Sequence, residues 1–500
     1  MHAPYRLALR ALVVYTGASI LVVEILATRM LAPYFGSSLI TLSSVLGVTL
    51  GALSTGYYVG GLLAERSVAW SKLGMLIAVS GACTLAIWPL STVLLEPLTM
   101  YLSVGAGAIM ASILIFLVPC GVMGTLSPYV IALEQSLAPG IVGARAAGNI
   151  FFWSTLGSII GSISAGFVLI PLLGVRWLIV SIGASLLIVG CLLIIGNRPN
   201  QRSHALVIGL ALLGSLCGAV PQHSNALFLA EGVYQRIAVH DITLEGRNLR
   251  VLWQDRNASS GVDRDSDDLA FDYTRVPAVA WTGREAPRRS LVIGAGAFVI
   301  PDTIAAASPE SVVDAVDIEP GLEDIATRFF RHNPNERVRS IVADGRVWLR
   351  GADPYDLIVG DAYQATYSVP AHLTTREFFV LVKDRLTPNG MFVGNFIGSA
   401  DFNHRTYFPS AAKTLRTVFP QGRFFAVLDP QSAAAQNIMF IGCKDDAPCV
   451  NPCSATLRAS RDPILSTLCD REIAVDDASL EKHMLLTDDY APVEWLIAGA

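Results

Sequence analysis

The chain has 500 residues, of which 52% are hydrophobic and 15% charged, where an ordinary globular chain carries about 25% charge. That length allows two or three domains, and a mean hydropathy of +0.50 excludes a wholly soluble one. The net charge of −5, with no long basic run, argues against nucleic acid as a partner.

Apolar stretches of membrane length run through the first half at 9–31, 38–63, 73–95, 104–132, 153–173, 177–196 and 204–221. The first is too long for the apolar core of a signal peptide and is followed by more of its kind. The fourth is long enough to kink at Pro119 or to hold a re-entrant piece. Arg6 and Arg10, Arg66 and Lys72, Arg145, and Arg198 with Arg202 fall on one side, against Arg176 on the other. Positive charge marks the cytoplasmic side, so the N-terminus is expected there, and seven spans send the rest of the chain outward. Glu24 lies inside the first span, as a functional carboxylate or as a packing hydrogen bond to Arg29 or Tyr15. Gly157, Gly161 and Ala165 form a small-residue face for close helix packing. The paired repeats of a transporter are not evident.

The domains expected are 1–221, membrane helices; 222–280, a small β-rich unit; and 281–500, a nucleoside-binding domain. Ile237–Asp241 and Asn248–Leu252 alternate as strands do. Strands then alternate with helices: strand 291–293, turn 294–296, helix 299–307, strand 312–317, helix 321–331, strands 338–342 and 356–360, helix 374–386 and strand 391–396. That order predicts a parallel, doubly wound α/β sheet, Rossmann-like, with its ligand beyond the carboxyl ends of the strands. Cys443, Cys449, Cys453 and Cys469 cluster without a histidine; two disulfides in an oxidising compartment, a zinc site and free thiols are the alternatives, and no metal is expected.

Gly294 and Gly296 follow the first strand of this sheet, where a bare backbone lets a ligand approach. Asp317 ends the next strand, where a carboxylate can hold both ribose hydroxyls. Asp344 and Gly345 follow the third; Asp344 either accepts from an adenine amine or caps the helix starting at Gly345.

From these residues outward, 231–442 resembles the spermidine synthase family of aminopropyltransferases, within the S-adenosylmethionine-dependent methyltransferase folds. Glu231-Gly-Val-Tyr-Gln235 resembles its entry motif, Leu291-Val-Ile-Gly-Ala-Gly296 its glycine loop and Asp317-Ile-Glu319 its ribose motif. Asp344-Gly345 resembles its adenine contact, and Tyr355-Asp-Leu-Ile-Val-Gly-Asp361 the strand leading to its catalytic loop. Pro370–Phe379 and Leu486–Glu494 resemble the branch fused to membrane helices, and the helices themselves resemble half of a major facilitator bundle, notably at Gly60–Arg66 between the second and third spans. The resemblance implies a membrane-anchored transferase using S-adenosylmethionine or its decarboxylated form, with an amine or lipid-associated acceptor; a homodimer is among the assemblies it allows.

Two departures stand out. Gln364 sits where the family has a second loop aspartate, and an amide cannot take a proton at neutral pH. Arg275, in Tyr273-Thr-Arg275, stands in the polyamine-cradling segment, where a cation would repel the substrate. Asp361 and His372 are the candidate catalytic groups, with turn capping and a surface role as their alternatives. Tyr234, Gln235, Tyr363 and Gln364 are the candidate acceptor residues, and Asp488 and Asp489 add charge or begin a turn. The rival functions are a non-catalytic nucleoside or polyamine sensor with a degenerate site, and a transporter with a soluble regulatory domain.

Overall fold

The computed structural model describes residues 3–137, 142–196, 209, 225–362, 369–404, 406–445 and 450–498. The expected seventh span at 204–221 lies outside them apart from residue 209, as do Cys217 and Cys449. Two compact units divide between Ser224 and Asn225.

The first unit holds α1 (Ala3–Phe35), α2 (Leu39–Arg66), α3 (Trp70–Tyr101), α4 (Val104–Gly124), α5 (Leu126–Leu137), α6 (Gly143–Ser164) and α7 (Ile170–Gly196), with a π turn at Ala165–Leu169. Five continuous helical stretches are long and apolar enough to cross a membrane. The last, Gly143–Gly196, has 54 residues, roughly 80 Å of helix against the ~30 Å of a bilayer core. It breaks at Gly174, whose φ of 70° and ψ of 168° are non-helical, so the stretch is two helical legs. The fourth span breaks at Thr125, not at Pro119, which stays inside α4. Pro128 explains the site of the break, because it has no N–H for the carbonyl of Gly124.

Small residues hold the unit together. A Cβ on Gly157 would lie 2.0 Å from the Val14 carbonyl, and one on Gly161 2.7 Å from that of Ala18, so α6 runs parallel to α1. Gly190 meets Ala78 and Gly183 meets Leu85, so α7 runs antiparallel to α3. Six helical legs (α1, α2, α3, α4–α5, α6, α7) return residue 196 to the end of the bundle where the chain began. Glu24 Oε1 accepts from Thr49 Oγ1 at 3.0 Å, a helix-packing bond. Its expected alternative, Tyr15, pairs instead with Ser185.

The second unit begins with an antiparallel sheet, β1 (Phe228–Glu231), β2 (Arg236–Leu244), β3 (Arg247–Gln254) and β4 (Asn257–Asp263), in that order. A 3-10 helix at Asp272–Ala280 follows. The main sheet contains β5 (Arg289–Ile293), β6 (Val312–Asp317), β7 (Val338–Val342), β8 (Tyr355–Gly360), β9 (Leu386–Gly398), β10 (Arg423–Ala426), β11 (Gln436–Cys443) and β12 (Glu472–Ile473). Its order is β12-β10-β11-β9-β8-β5-β6-β7. β5 to β9 are parallel, as expected, but β11, β10 and β12 are antiparallel. The sheet is therefore mixed: after the helical connection from β9 to β10, the chain turns back through 427–435 and β11 inserts antiparallel between them. Helices α8 (Val299–Ala307), α9 (Leu322–Phe329), α10 (Gly345–Gly351), α11 (Arg376–Asp384) and α12 (Tyr407–Val418) flank it. Two apolar clusters form the core, one holding Val292, Val313, Leu357 and Val393, the other Leu291, Val316, Ile358 and Phe392. Consecutive residues of one strand fall in different clusters, as a sheet buried on both faces requires.

β5 lies between β6 and β8, so the crossovers leave it in opposite directions. Such a switch point opens a crevice at the carboxyl ends of the strands.

Candidate functional site

A cavity of about 590 Å³ occupies that crevice. Its lining includes Gly294, Gly296, Asp317, Asp344, Gly345, Asp361, His372, Tyr234 and Gln235. Tyr363 and Gln364 lie outside the described residues.

The wall formed by β5, β6 and β7 sets a glycine turn beside carboxylates that backbone N–H groups fix. Gly294 has φ of +95°, and a Cβ there would sit 2.4 Å from the carbonyl of Asp361, so only glycine lets the loop pass β8. Asp317 Oδ2 accepts from Gly296 N at 3.3 Å, and Oδ1 from Glu319 N at 3.0 Å. Burial pushes the Asp317 carboxyl up, and these N–H donors hold it back. The Ala295 N–H is a third donor to this carboxylate, which leaves one of its four lone-pair sites for a ligand. Asp344 caps α10, with Oδ1 accepting from Val347 N at 2.9 Å, while Oδ2 meets His372 Nε2 at 2.7 Å. Burial pushes the Asp344 carboxyl up, but the Val347 N–H and the His372 ring outweigh it and hold it below the usual range. His372 is therefore brought to Asp344 at this wall.

The opposite wall rests on side chains from distant segments. Asp361 follows β8 at the floor of the cavity, desolvated by the protein around it. Its carboxyl is pushed up to about 7, chiefly by desolvation and secondarily by the charge of Asp317; hydrogen bonds from Asn395 and Tyr273 pull the other way. Asn395 Nδ2 donates to Asp361 Oδ1 at 2.8 Å, and Asn437 Nδ2 donates to Asn395 Oδ1 at 3.0 Å. The Tyr273 hydroxyl lies between Asp361 and the Ser259 carbonyl, 2.8 Å from the latter, and its one proton is shared between them. Tyr273, Asn395 and Asn437 were missed as site residues by sequence reasoning. Tyr273 had a signal, the resemblance of 273–275 to the polyamine-cradling segment. The two asparagines had none, since they sit on β9 and β11, paired only in the folded sheet.

Several expectations change. Arg275 does not face the cavity as a repelling cation: its guanidinium pairs with Asp268 at 2.8 Å, Asp462 at 3.3 Å and Asp272 at 3.5 Å and is nearly buried. Three carboxylates claim the charge, so it fastens the 3-10 helix to the C-terminal segment. Glu319, placed by the resemblance in the ribose motif, turns its carboxylate to the backbone of Val233, Tyr234 and Gln235. Asp488 is taken by Arg346, at 2.7 and 2.6 Å, and by Thr375. Among the soluble cysteines, Cys453 and Cys469 form a disulfide and Cys443 is disulfide-bonded as well. No group of residues suited to a metal ion occurs among the described residues.

No family model matches the chain. It is 30% identical over 242 residues to the polyamine aminopropyltransferase of Vibrio vulnificus (strain CMCP6), covering 46% of this chain and 76% of that one. It is 24% identical over 431 residues to the polyamine aminopropyltransferase of Mycobacterium tuberculosis (strain ATCC 25618 / H37Rv), covering 78% of this chain and 77% of the relative. Among solved structures, a probable spermidine synthase from Corynebacterium glutamicum ATCC 13032 matches with a TM-score of 0.42 and 22% identity, over 53% of this chain and 94% of that one.

Proposed function

The chain belongs to the polyamine aminopropyltransferase family, and from that premise we propose that it transfers an aminopropyl group from decarboxylated S-adenosylmethionine to an amine. The observation that carries this reading is Asp361, a carboxyl raised to about 7 on the floor of the cavity. An amine attacks only as the neutral base, so the site must remove a proton near neutral pH. A carboxylate of that affinity takes it, and Tyr273 and Asn395 fix its orientation.

The reaction balances simply. The amine lone pair forms a bond to the propyl carbon on sulfur, and the carbon–sulfur pair returns to sulfur. Methylthioadenosine leaves as a neutral thioether, and Asp361 holds the amine's proton. Gly294, Gly296 and Asp317 line the place for the nucleoside, and His372 steadies Asp344 at its base end.

The charge of the cavity supports the decarboxylated donor over S-adenosylmethionine itself. Gln235 Oε1 is buried and has no hydrogen-bond partner among the described residues, which suits an ammonium group. The charge of Asp317 already opposes the ionisation of Asp361. A donor carboxylate would add a third negative charge, and the lining cation Arg247 is spent on Asp263 at 3.0 Å. Residues 363–368 are Tyr-Gln-Ala-Thr-Tyr-Ser and bring no charge. Leu244 and Leu428 line the cavity yet remain exposed, which supports an acceptor amine with an apolar portion, including a membrane-associated one.

The helices anchor this transferase in a lipid bilayer with the N-terminus cytoplasmic. The disulfides support an extracytoplasmic soluble domain, which needs 204–221 as a seventh pass. A C-terminal alkaline phosphatase fusion is expected to be active. Activity of a cytoplasmic reporter instead would reverse the placement and leave the transferase reading intact.

The test of function uses the full chain in detergent with decarboxylated S-adenosylmethionine and a series of diamines and monoamines, reading methylthioadenosine release. Nucleoside binding without turnover on any amine would convert the protein to a binding module. No binding at all would end both readings.

A further inference from the structure

Glu319 is a buried acid that the proposed chemistry leaves unused. Its Oε1 accepts from Val233 N at 2.7 Å, and its Oε2 accepts from Tyr234 N at 2.8 Å and Gln235 N at 3.1 Å. Three successive backbone N–H groups thus converge on one carboxylate, an arrangement that binds the ionised acid specifically. The turn is closed by Gly232 N donating to the Gln235 carbonyl at 2.9 Å. A Cβ on Gly232 would lie 2.4 Å from Glu319 Oε1, so the loop sits against the carboxylate with no room between. The same segment contacts the ribose end: Glu319 N donates to Asp317 Oδ1 at 3.0 Å.

We propose that Glu319 is a positioning residue that couples the donor's ribose site to the loop carrying Tyr234 and Gln235. The coupling rests on the transferase reading only for what the loop then does. A ligand on Asp317 steadies the Asp317–Glu319 strand end, and Glu319 hands that order to the three amides. Binding at one end therefore tightens the other, and by reciprocity the ordered loop favours the nucleoside. The neutral amide of a glutamine cannot replace the acid, because its NH2 would face a backbone donor.

The test is amide hydrogen exchange of the full chain in detergent, with and without methylthioadenosine, beside steady-state kinetics. In the wild type, the amides of Val233, Tyr234 and Gln235 are expected to be protected, and methylthioadenosine should slow them further. Glu319→Gln should exchange at least about tenfold faster there, without response to the nucleoside. It should lose about 100-fold in kcat, while methylthioadenosine affinity falls only by the factor by which the nucleoside slows exchange in the wild type. Glu319→Asp, which keeps the charge, should recover part of both. Gly232→Ala should act through the same contact, so adding it to Glu319→Ala should cost nothing further.

Unchanged exchange in Glu319→Gln overturns the proposal. So does nucleoside affinity that falls in step with kcat, which would make Glu319 a direct ribose ligand. A wild type without transfer activity would sink the transferase reading alone, because exchange needs no turnover.

Discussion

The two walls of the cavity are built on different principles. The wall of β5, β6 and β7 joins a glycine turn to two carboxylates, Asp317 and Asp344, each fixed by nearby backbone N–H groups. The wall around Asp361 works with side chains from the β-unit, β8, β9 and β11, joined through Asn395, Asn437 and Tyr273. Local geometry survives divergence of side chains, so the first wall is suited to a constant donor. The second is a chain of contacts in which each member sets the next, and on the proposed reading it is where acceptor and proton affinity would be tuned.

The largest effect should break the second wall alone. Asp361→Asn is expected to lower transfer at least about 1000-fold, measured as methylthioadenosine release, while nucleoside affinity stays within threefold. The same variant should be more stable. A carboxyl held near 7 when folded, against ~3.9 unfolded, favours the proton, so the wild type loses stability as pH rises from about 4 to 7. Asp361→Asn removes that loss and should melt higher at pH 8, with the gap shrinking towards pH 4. A gap independent of pH would show that Asp361 is not desolvated.

Asp317→Ala should do the reverse, weakening methylthioadenosine about 100-fold by calorimetry. It also tests whether the walls are separate. The charge of Asp317 raises Asp361, so its loss should move the acidic limb of the pH–rate profile to lower pH. Wild-type kcat/KM should fall tenfold per unit below about 7, because the base must be ionised. Asn395→Ala removes a hydrogen bond that lowers Asp361, so its limb should move up. At pH 7 it should lose about tenfold and recover most of that at pH 9. Failure to recover would mean that Asn395 contacts the substrate directly.

The same contrast explains what the sequence allowed. Gly294, Asp317 and Asp344 were readable because each sits at a strand end fixed by short-range pattern, and the alternation of strands and helices placed β5 to β9. The antiparallel return of β11 was not readable, nor were Asn395 and Asn437, which meet only through strand pairing across 42 residues. Arg275 misled because charge is visible in a sequence and its partners are not: Asp462 lies 187 residues away. Glu319 was assigned through the resemblance of Asp317-Ile-Glu319 to a ribose motif, but β6 ends at Asp317, the strand alternation stops there, and the Glu319 carboxylate serves the loop.

His372 gives the smallest predicted effect and the sharpest test of which wall it belongs to. Its sequence position beside the catalytic loop suggested a base. Its Nε2 instead lies 2.7 Å from Asp344, a carboxylate that also caps α10. A ring nitrogen committed to that pair is not free to take the amine's proton, and the cap would hold Asp344 even without it. His372→Ala should therefore lower kcat/KM about threefold, through donor affinity, with the pH profile set by Asp361 unchanged. A collapse of kcat with loss of the acidic limb would move the proton-taking role to His372 and leave Asp361 as a structural acid.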